Sequence, residues 1–443
     1  MTDVMAIYPF GDLLQRIFAE YAAEEGICSI PRSSWYMPPA GRKVAVFGQE
    51  LETPLGPAAG PHTQLAVNIV ASYLTGSRFI ELKTTQILES LEIAKPCIDA
   101  ADEGYNTEWS TELSLETAWQ EYAKAWVLLH ILESVFELKS SDLTRSFVFN
   151  LSVGYDLEGI KTEKMQQYIH RMIDSSDEPL FRRWIDEARK RLPGLLESAG
   201  LSSRPTAVVA ALDGLSGEIC SSVTLSTMHG CPPDEIEAIA THMLSDIGLD
   251  CYVKLNPTLL GFDDVRSILD DTGYSYVDLD PEGFARDLSW EDAIPMIKRL
   301  TALAGDRKRR FGVKLSNTLA NHNDGKALPG DERYLSGRAL YPVTIELAAR
   351  IAQTFDGDLP ISYSGGIAAW NVRQVFETGI RPVTLATDLL KPGGYFRQLE
   401  LLRILDDEAS PAAWDAAKPD AAAIRRLADQ ARSAPEYHKD YRS

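Results

Sequence analysis

Eight short apolar runs punctuate the chain: PLGPAAG (54–60), RFIELKT (78–84), SFVFNLSVG (146–154), SVTLST (222–227), CYVKLNPT (251–258), RFGVKLSNT (310–318), LPISYSGG (359–366) and RPVTLATD (381–388). Each is nearly continuous in apolar residues rather than alternating, the pattern of a strand buried on both faces. Between them lie stretches with apolar positions at helical spacing, such as LETAWQEYAKAWVLLHILESVFEL, PDEIEAIATHMLSDIG and PVTIELAARIAQTF. Eight strand–helix units on 443 residues predict an α/β fold, a (β/α)8 TIM barrel over residues 44–404, with a doubly wound open sheet as the alternative.

The flanks and two connections depart from this rhythm. Residues 10–25 have helical spacing and lead into a Pro-rich stretch, so 1–43 reads as a helical segment and linker. From Val44, VAVFGQELETPLGPAAG reads as a short strand, a turn and a second strand ending in small residues. The connection at 155–221 carries about two charged helices, and 319–338 is a polar, Gly-rich loop. Connections of that length serve as lids or partner surfaces. The tail, 405–443, reads as an amphipathic helix and a frayed end.

Charge narrows the ligands. With 44 Lys+Arg against 64 Asp+Glu the net charge is −20, which repels nucleic acid and anionic membrane, so any anionic ligand needs a local pocket. No apolar run approaches the roughly 18 residues that span a bilayer, and the N-terminus carries acids where a signal peptide would be basic, so a cytoplasmic location is expected. The five cysteines form no CxxC pair, which suggests neither a disulfide framework nor a metal or iron–sulfur site. No GxGxxG follows a strand and no GxxxxGK[ST] occurs.

In such a barrel the chemistry sits at the C-terminal ends of the strands. Three runs carry a lysine there, Lys83, Lys254 and Lys314. A lysine in an apolar strand must meet either a ligand or a barrel carboxylate such as Glu81. The seventh run ends in Gly365-Gly366 and the eighth in Ala386-Thr387, which suits a phosphate site at helix N-termini or, equally, two tight turns. LSTMHGCPPDEIEAI places His229 and Cys231 on a strand-end loop, where either could be an acid/base, or simply solvated or buried.

Together these segments resemble the class 1 dihydroorotate dehydrogenases and the pyrimidine-reducing barrel of dihydropyrimidine dehydrogenase. PLGPAAG, with Ala58, Ala59 and Gly60, resembles the first barrel strand of that family, and IELKTTQ resembles the strand with its flavin-side lysine, here Lys83 followed by Thr84. KPC followed by YNTEWS resembles the proline turn and substrate-side asparagine, here Asn106. VKLNPT places Lys254 on the second flavin lysine, and SNT places Asn317 and Thr318 on a substrate-contacting pair. YLSGRALYPVTI, with Ser336 and Gly337, resembles Leu-Ser-Gly-x-Ala-Leu-x-Pro, and SGGI with Ala386-Thr387 resembles the FMN phosphate loops. A closer resemblance is to the N-terminal region of the large iron–sulfur flavoproteins known as selenate reductase subunits, through GPAAGPHTQLA, STMHGCPP, VKLNPTLLG, SYSGG and ATDLLKPGGY.

The resemblance implies an FMN-dependent oxidoreductase that moves hydride between flavin and a C=C or C=N bond of a small pyrimidine- or purine-like heterocycle. Cys231, or His229 in its place, would be the acid/base. Cys231 lacks the two flanking asparagines that grip orotate in dihydroorotate dehydrogenases, which points away from orotate. Electrons would come from a partner subunit carrying FAD/NAD(P) and iron–sulfur clusters, and a homo-oligomer is compatible with this. Two other readings stay open: a Schiff-base aldolase or lyase using Lys254 or Lys314 on a phosphorylated substrate, and a non-catalytic scaffold in a redox complex.

Overall fold

The computed structural model describes residues 5–107, 111–139, 143, 145–201, 203, 205–226 and 229–441. Residues 108–110 of the YNTEWS match and 227–228 of STMHGCPP lie outside the described residues. All eight apolar runs form strands of one parallel sheet: β1 Leu55–Pro57, β2 Phe79–Glu81, β3 Val148–Gly154, β4 Cys220–Ser226, β5 Asp250–Leu255, β6 Phe311–Leu315, β7 Ile361–Tyr363 and β8 Val383–Leu385. They are paired in the order β1-β8-β7-β6-β5-β4-β3-β2. The two ends meet where the N–H of Arg78 donates to the carbonyl of Leu55 at 3.0 Å, so the sheet closes on itself as a barrel rather than opening as a doubly wound sheet.

That seam is built with little tolerance. A side chain at Gly56 would collide with the backbone of Phe79, and beside it Arg78 Nε donates to Glu52 Oε2 at 2.7 Å with both groups fully buried. Arg78 also caps the carbonyls of Tyr73 and Ser77 and lies over the Tyr73 ring at 4.2 Å. Truncating it removes the guanidinium to which the buried Glu52 carboxylate is bonded. Arg78→Ala is therefore expected to cost about 3–5 kcal/mol in urea unfolding, and a wild-type midpoint would contradict the reading.

Outside β2 and β3 runs the helix Leu115–Phe136, started by Ser114, whose hydroxyl accepts the N–H of Thr117. It is apolar almost all round because it is covered on both sides. Trp126 packs edge-on against Phe147 and Phe149 of the barrel wall, while Trp119 stacks on Trp184 of the 155–221 connection. That connection holds four described helices, Leu157–Ile160, Glu163–Ile173, Pro179–Ser198 and Pro205–Asp213, rather than two. It packs outward, where Trp184 also stacks on Phe10 of the N-terminal helix Phe10–Glu24 at 5.7 Å.

Three further expectations are corrected. The segment 319–338 is a hairpin rather than a loop: Leu319–His322 pairs antiparallel with Glu332–Ser336, and Gly104–Asn106 and Ile98–Asp99 extend it to a four-stranded sheet. Its exposed face requires polar residues at alternate positions, which gives the sequence its loop-like composition. A separate hairpin, Val44–Val46 with Gln49–Leu51, precedes β1, one strand more than the sequence suggested. The described part of the tail is fastened as far as Tyr441 rather than frayed: Arg338 donates to the carbonyls of His438, Lys439 and Tyr441, and the Tyr437 ring stacks on Tyr341 at 4.4 Å.

Candidate functional site

The strand ends and the four-stranded sheet enclose a cavity of about 410 Å³. β1 delivers Ala59, Gly60 and His62 to its wall, β2 delivers Lys83, Thr84 and Gln86, and β3 delivers Tyr155. His229 follows β4, Lys254 is the penultimate residue of β5, and Asn317 and Thr318 follow β6. The sheet closes the mouth with Asn106, Tyr334 and Ser336. Among the described residues of the 155–221 connection only Tyr155 reaches this wall, whereas the 319–338 hairpin contributes Glu332, Tyr334 and Ser336 to it.

A smaller lobe of about 60 Å³ shares Thr318, Ser336, Ala386 and Thr387 with the cavity and adds Gly337, Gly365, Gly366, Arg338 and Lys391. Asp388 and Trp370 also line it, and two of its glycines are required by close packing. A Cβ on Gly366, whose φ is +70°, would lie 2.4 Å from the carbonyl oxygen of Gly337, and one on Gly365 would lie 2.5 Å from Thr344 Oγ1. The Ser336 and Thr387 hydroxyls bond each other at 2.8 Å at the junction.

The structure thus gathers every proposed cofactor and substrate residue except Ala58. The Ala58 N–H is spent on the carbonyl of Leu385 at 2.7 Å, holding β1 to β8. Lys314 and Lys254 are register partners, yet only Lys254 lines the cavity. Lys314 lies inside the barrel, 2.9 Å from Glu81 and 2.7 Å from the Thr384 hydroxyl; burial lowers its pKa and Glu81 opposes that shift. Lys314 thus fits the reading of a lysine paired with a barrel carboxylate.

His229 and Cys231 separate. His229 lines the cavity, its ring parallel to that of Tyr334 within 9°. Cys231 instead lines a small recess with Lys254, Asn256 and Asp287. Burial first, then the carboxylates of Glu235, Asp234, Asp156 and Asp287, push its thiol up to about 11, so it stays protonated at neutral pH.

Sequence reasoning missed the group that organises this corner. Asp287 accepts from His229 Nδ1 at 2.8 Å, from the Gly230 N–H, from the Thr258 hydroxyl at 2.7 Å and from the Asn256 amide at 3.2 Å. Burial alone would raise its pKa; the bonds and charge of His229, with Thr258 and Gly230, hold it below the ordinary carboxylate range. A carboxylate on Nδ1 fixes the imidazole tautomer and leaves Nε2 as the exchangeable site. His62 and Gln86 were also missed. Both are buried in the cavity wall, and burial pushes His62 down to about 4, opposed by the backbone of Leu385 and Ala58.

With the geometry in place, comparison with known proteins identifies the lineage. The family described as oxidoreductase YgfK, N-terminal TIM-barrel domain, matches residues 28–439. The chain belongs to this family. It is 52% identical over 433 residues to YgfK of Escherichia coli K12, and equally to that of E. coli O157:H7, covering 97% of this chain and 42% of each relative. The chain therefore spans about two-fifths of the length of the curated relatives it matches. Among solved structures it is similar to the ligand-free DHODH of Eimeria tenella, at 16% identity and a TM-score of 0.46, over 90% of this chain and 94% of that one. No described helix of this YgfK-type barrel is long and apolar enough to cross a membrane.

Proposed function

We propose that this barrel binds FMN and works as an oxidoreductase on a C=C or C=N bond of a small nitrogen heterocycle. The observation that carries the reading is a pair of neighbouring spaces, a cavity of about 410 Å³ and a smaller one that shares four of its lining residues and is lined by Gly337, Gly365, Gly366, Arg338, Lys391 and Asp388. The first suits a flat heteroaromatic ring and the second a phosphate, which glycine lets approach the backbone closely.

When bound, FMN supplies hydride exchange with the substrate. The chain supplies the rest. Lys83 and Lys254 bring positive charge to the cavity wall, favouring negative charge that develops there. Asn106, Asn317 and Thr318 orient the substrate, and the Asn317 amide is itself aimed by a 3.1 Å bond to Asn256 Oδ1. His229 Nε2 holds or receives the substrate proton while Asp287 steadies the ring. The cover sheet limits water at the reacting face. Electrons come from an FAD/NAD(P)- and iron–sulfur-bearing portion or partner, in keeping with relatives much longer than this chain.

The test is to mix the purified chain with FMN, desalt it, record the visible spectrum and identify the released cofactor by mass. Stoichiometric retained FMN is expected. A protein that stays colourless sinks the flavin reading and returns attention to Lys254 as a Schiff-base nucleophile.

A further inference from the structure

The cover sheet is held at one end, and what holds it reaches both the cavity and the small lobe beside it. Gly104 and Ser336 are register partners on neighbouring cover strands, and further along Asn106 pairs with Tyr334, both in the cavity wall. Asp102 and Glu103 lead directly into the strand Gly104–Asn106, and Arg338 follows the strand Glu332–Ser336 by two residues. The same end of both strands therefore lies beside one group of charges.

The C-terminal tail completes that group. The buried Arg338 donates to the carbonyls of His438 and Tyr441, each at 3.1 Å, and to Asp102 Oδ1 at 2.6 Å. Lys439 Nζ bonds Asp102 Oδ2 at 2.8 Å and Glu103 Oε1 at 2.6 Å, while its backbone N–H donates to the carbonyl of Thr272 at 3.0 Å. Burial would raise the Asp102 carboxyl, but Lys439 and Arg338 hold it below the ordinary carboxylate range, so it stays charged at neutral pH. Lys391 donates to the Asp102 carbonyl at 2.7 Å, and Lys391 and Arg338 both line the lobe. The buried Tyr437 seats the start of the segment on Tyr341, the first residue of the helix Tyr341–Thr354. Little slack is left at this end of the sheet: a Cβ on Gly104 would lie 2.3 Å from Ser336 Oγ and 2.5 Å from Thr387 Cγ2.

We propose that residues 437–441 are a strap that clasps the cover sheet onto the strand ends and so sets how readily the site opens to its ligand. Charge-assisted hydrogen bonds are directional and about twice as strong as neutral ones, so they fix the position of the two strand ends rather than merely covering them. They are also the kind of fastening that can open. The Asp102 and Lys439 side chains are 47% and 34% exposed, so water can replace their bonds when the tail lifts, which a buried apolar seam would not allow. The grip on the sheet stands on these bonds alone, whereas its consequence for the ligand rests on the FMN reading above.

The experiment compares the full wild-type chain with Lys439→Ala and with the double variant Tyr437→Ala/Lys439→Ala, by hydrogen–deuterium exchange without ligand and by the rate at which bound FMN is released. Segments 98–106 and 332–340 should exchange about tenfold faster in the double variant, the worth of one charge-assisted hydrogen bond, with Lys439→Ala between it and wild type and β3 unchanged in both. FMN should leave faster by about the same factor. Unchanged exchange of the cover in both variants would overturn the strap, as would a rise shared equally by β3, which would make the tail a general brace. If the double variant fails to fold, Lys439→Ala, which keeps the buried Tyr437 ring in place, decides on the same comparison. Faster exchange with unaltered FMN release would overturn the tie to the site. Wild-type protein that binds no FMN overturns the FMN reading, and the exchange result still judges the grip of the strap.

Discussion

Gly56→Ala is expected to keep the barrel from closing. A Cβ at Gly56 would sit 1.6 Å from the carbonyl oxygen of Phe79 and 2.6 Å from its carbonyl carbon. Both are backbone atoms of β2, so no rotamer change relieves the contact. β1 cannot retreat either, because on its other side it is in register with β8 through Val383↔Leu55, Thr384↔Gly56 and Leu385↔Pro57. Overpacking among side chains typically costs about 1–3 kcal/mol; a clash between two strands held on both sides should exceed that, at about 4 kcal/mol or more, or yield insoluble protein. Gly305 is the control. It lies near the end of the helix Trp290–Asp306 with nothing within 4 Å of a modest side chain, so Gly305→Ala should be neutral or stabilising by up to about 1 kcal/mol. Urea unfolding of the two variants checks both, and a Gly56→Ala midpoint equal to wild type would show that the seam is slack.

The contrast between these glycines shows what a sequence can and cannot express. All eight barrel strands were visible because burial on both faces writes a continuous apolar run into each one. The cover sheet was invisible for the opposite reason: Glu332 is exposed and Arg333 buried along a strand whose charged residues look like loop. Arg333 is tolerated inside because its guanidinium lies over the Tyr105 ring at 4.2 Å and bonds Asn321, a partnership across three strands that no local pattern announces. The cavity residues were legible wherever they close a strand, which is why Lys83, Lys254, Asn317 and Thr387 were found. Asp287 was not, since it ends a short helix in the β5–β6 connection and reaches His229 only through the fold. Nor could spacing tell Lys254 from Lys314. They occupy the same place in near-identical runs and share a register, yet Lys314 meets Glu81 inside the barrel while Lys254 reaches the cavity wall.

His229→Ala should leave FMN retention intact and slow reoxidation of photoreduced flavin by about 10²–10⁴-fold, for any heterocycle that wild type reduces. The expectation follows from position. His229 is in the cavity wall with its Nδ1 committed to Asp287, whereas Cys231 faces a different recess and keeps its proton until about pH 11. A thiol that tightly protonated is a poor match for proton exchange near neutrality, where an acid/base works best with a pKa close to the working pH. Cys231→Ala should consequently turn over within a few-fold of wild type. Asp287→Asn keeps the shape of the corner but replaces an acceptor-only carboxylate with an amide that can present NH2 to Nδ1, so the favoured tautomer is no longer enforced. An intermediate loss of about 10–100-fold is expected, the usual range for a group that orients another. A screen of purines and pyrimidines against the photoreduced protein supplies the substrate, and stopped-flow reoxidation of the three variants supplies the ranking. Slow Cys231→Ala with fast His229→Ala would exchange their roles, placing the proton on the thiol and leaving the His229–Asp287 pair to shape the loop that carries it.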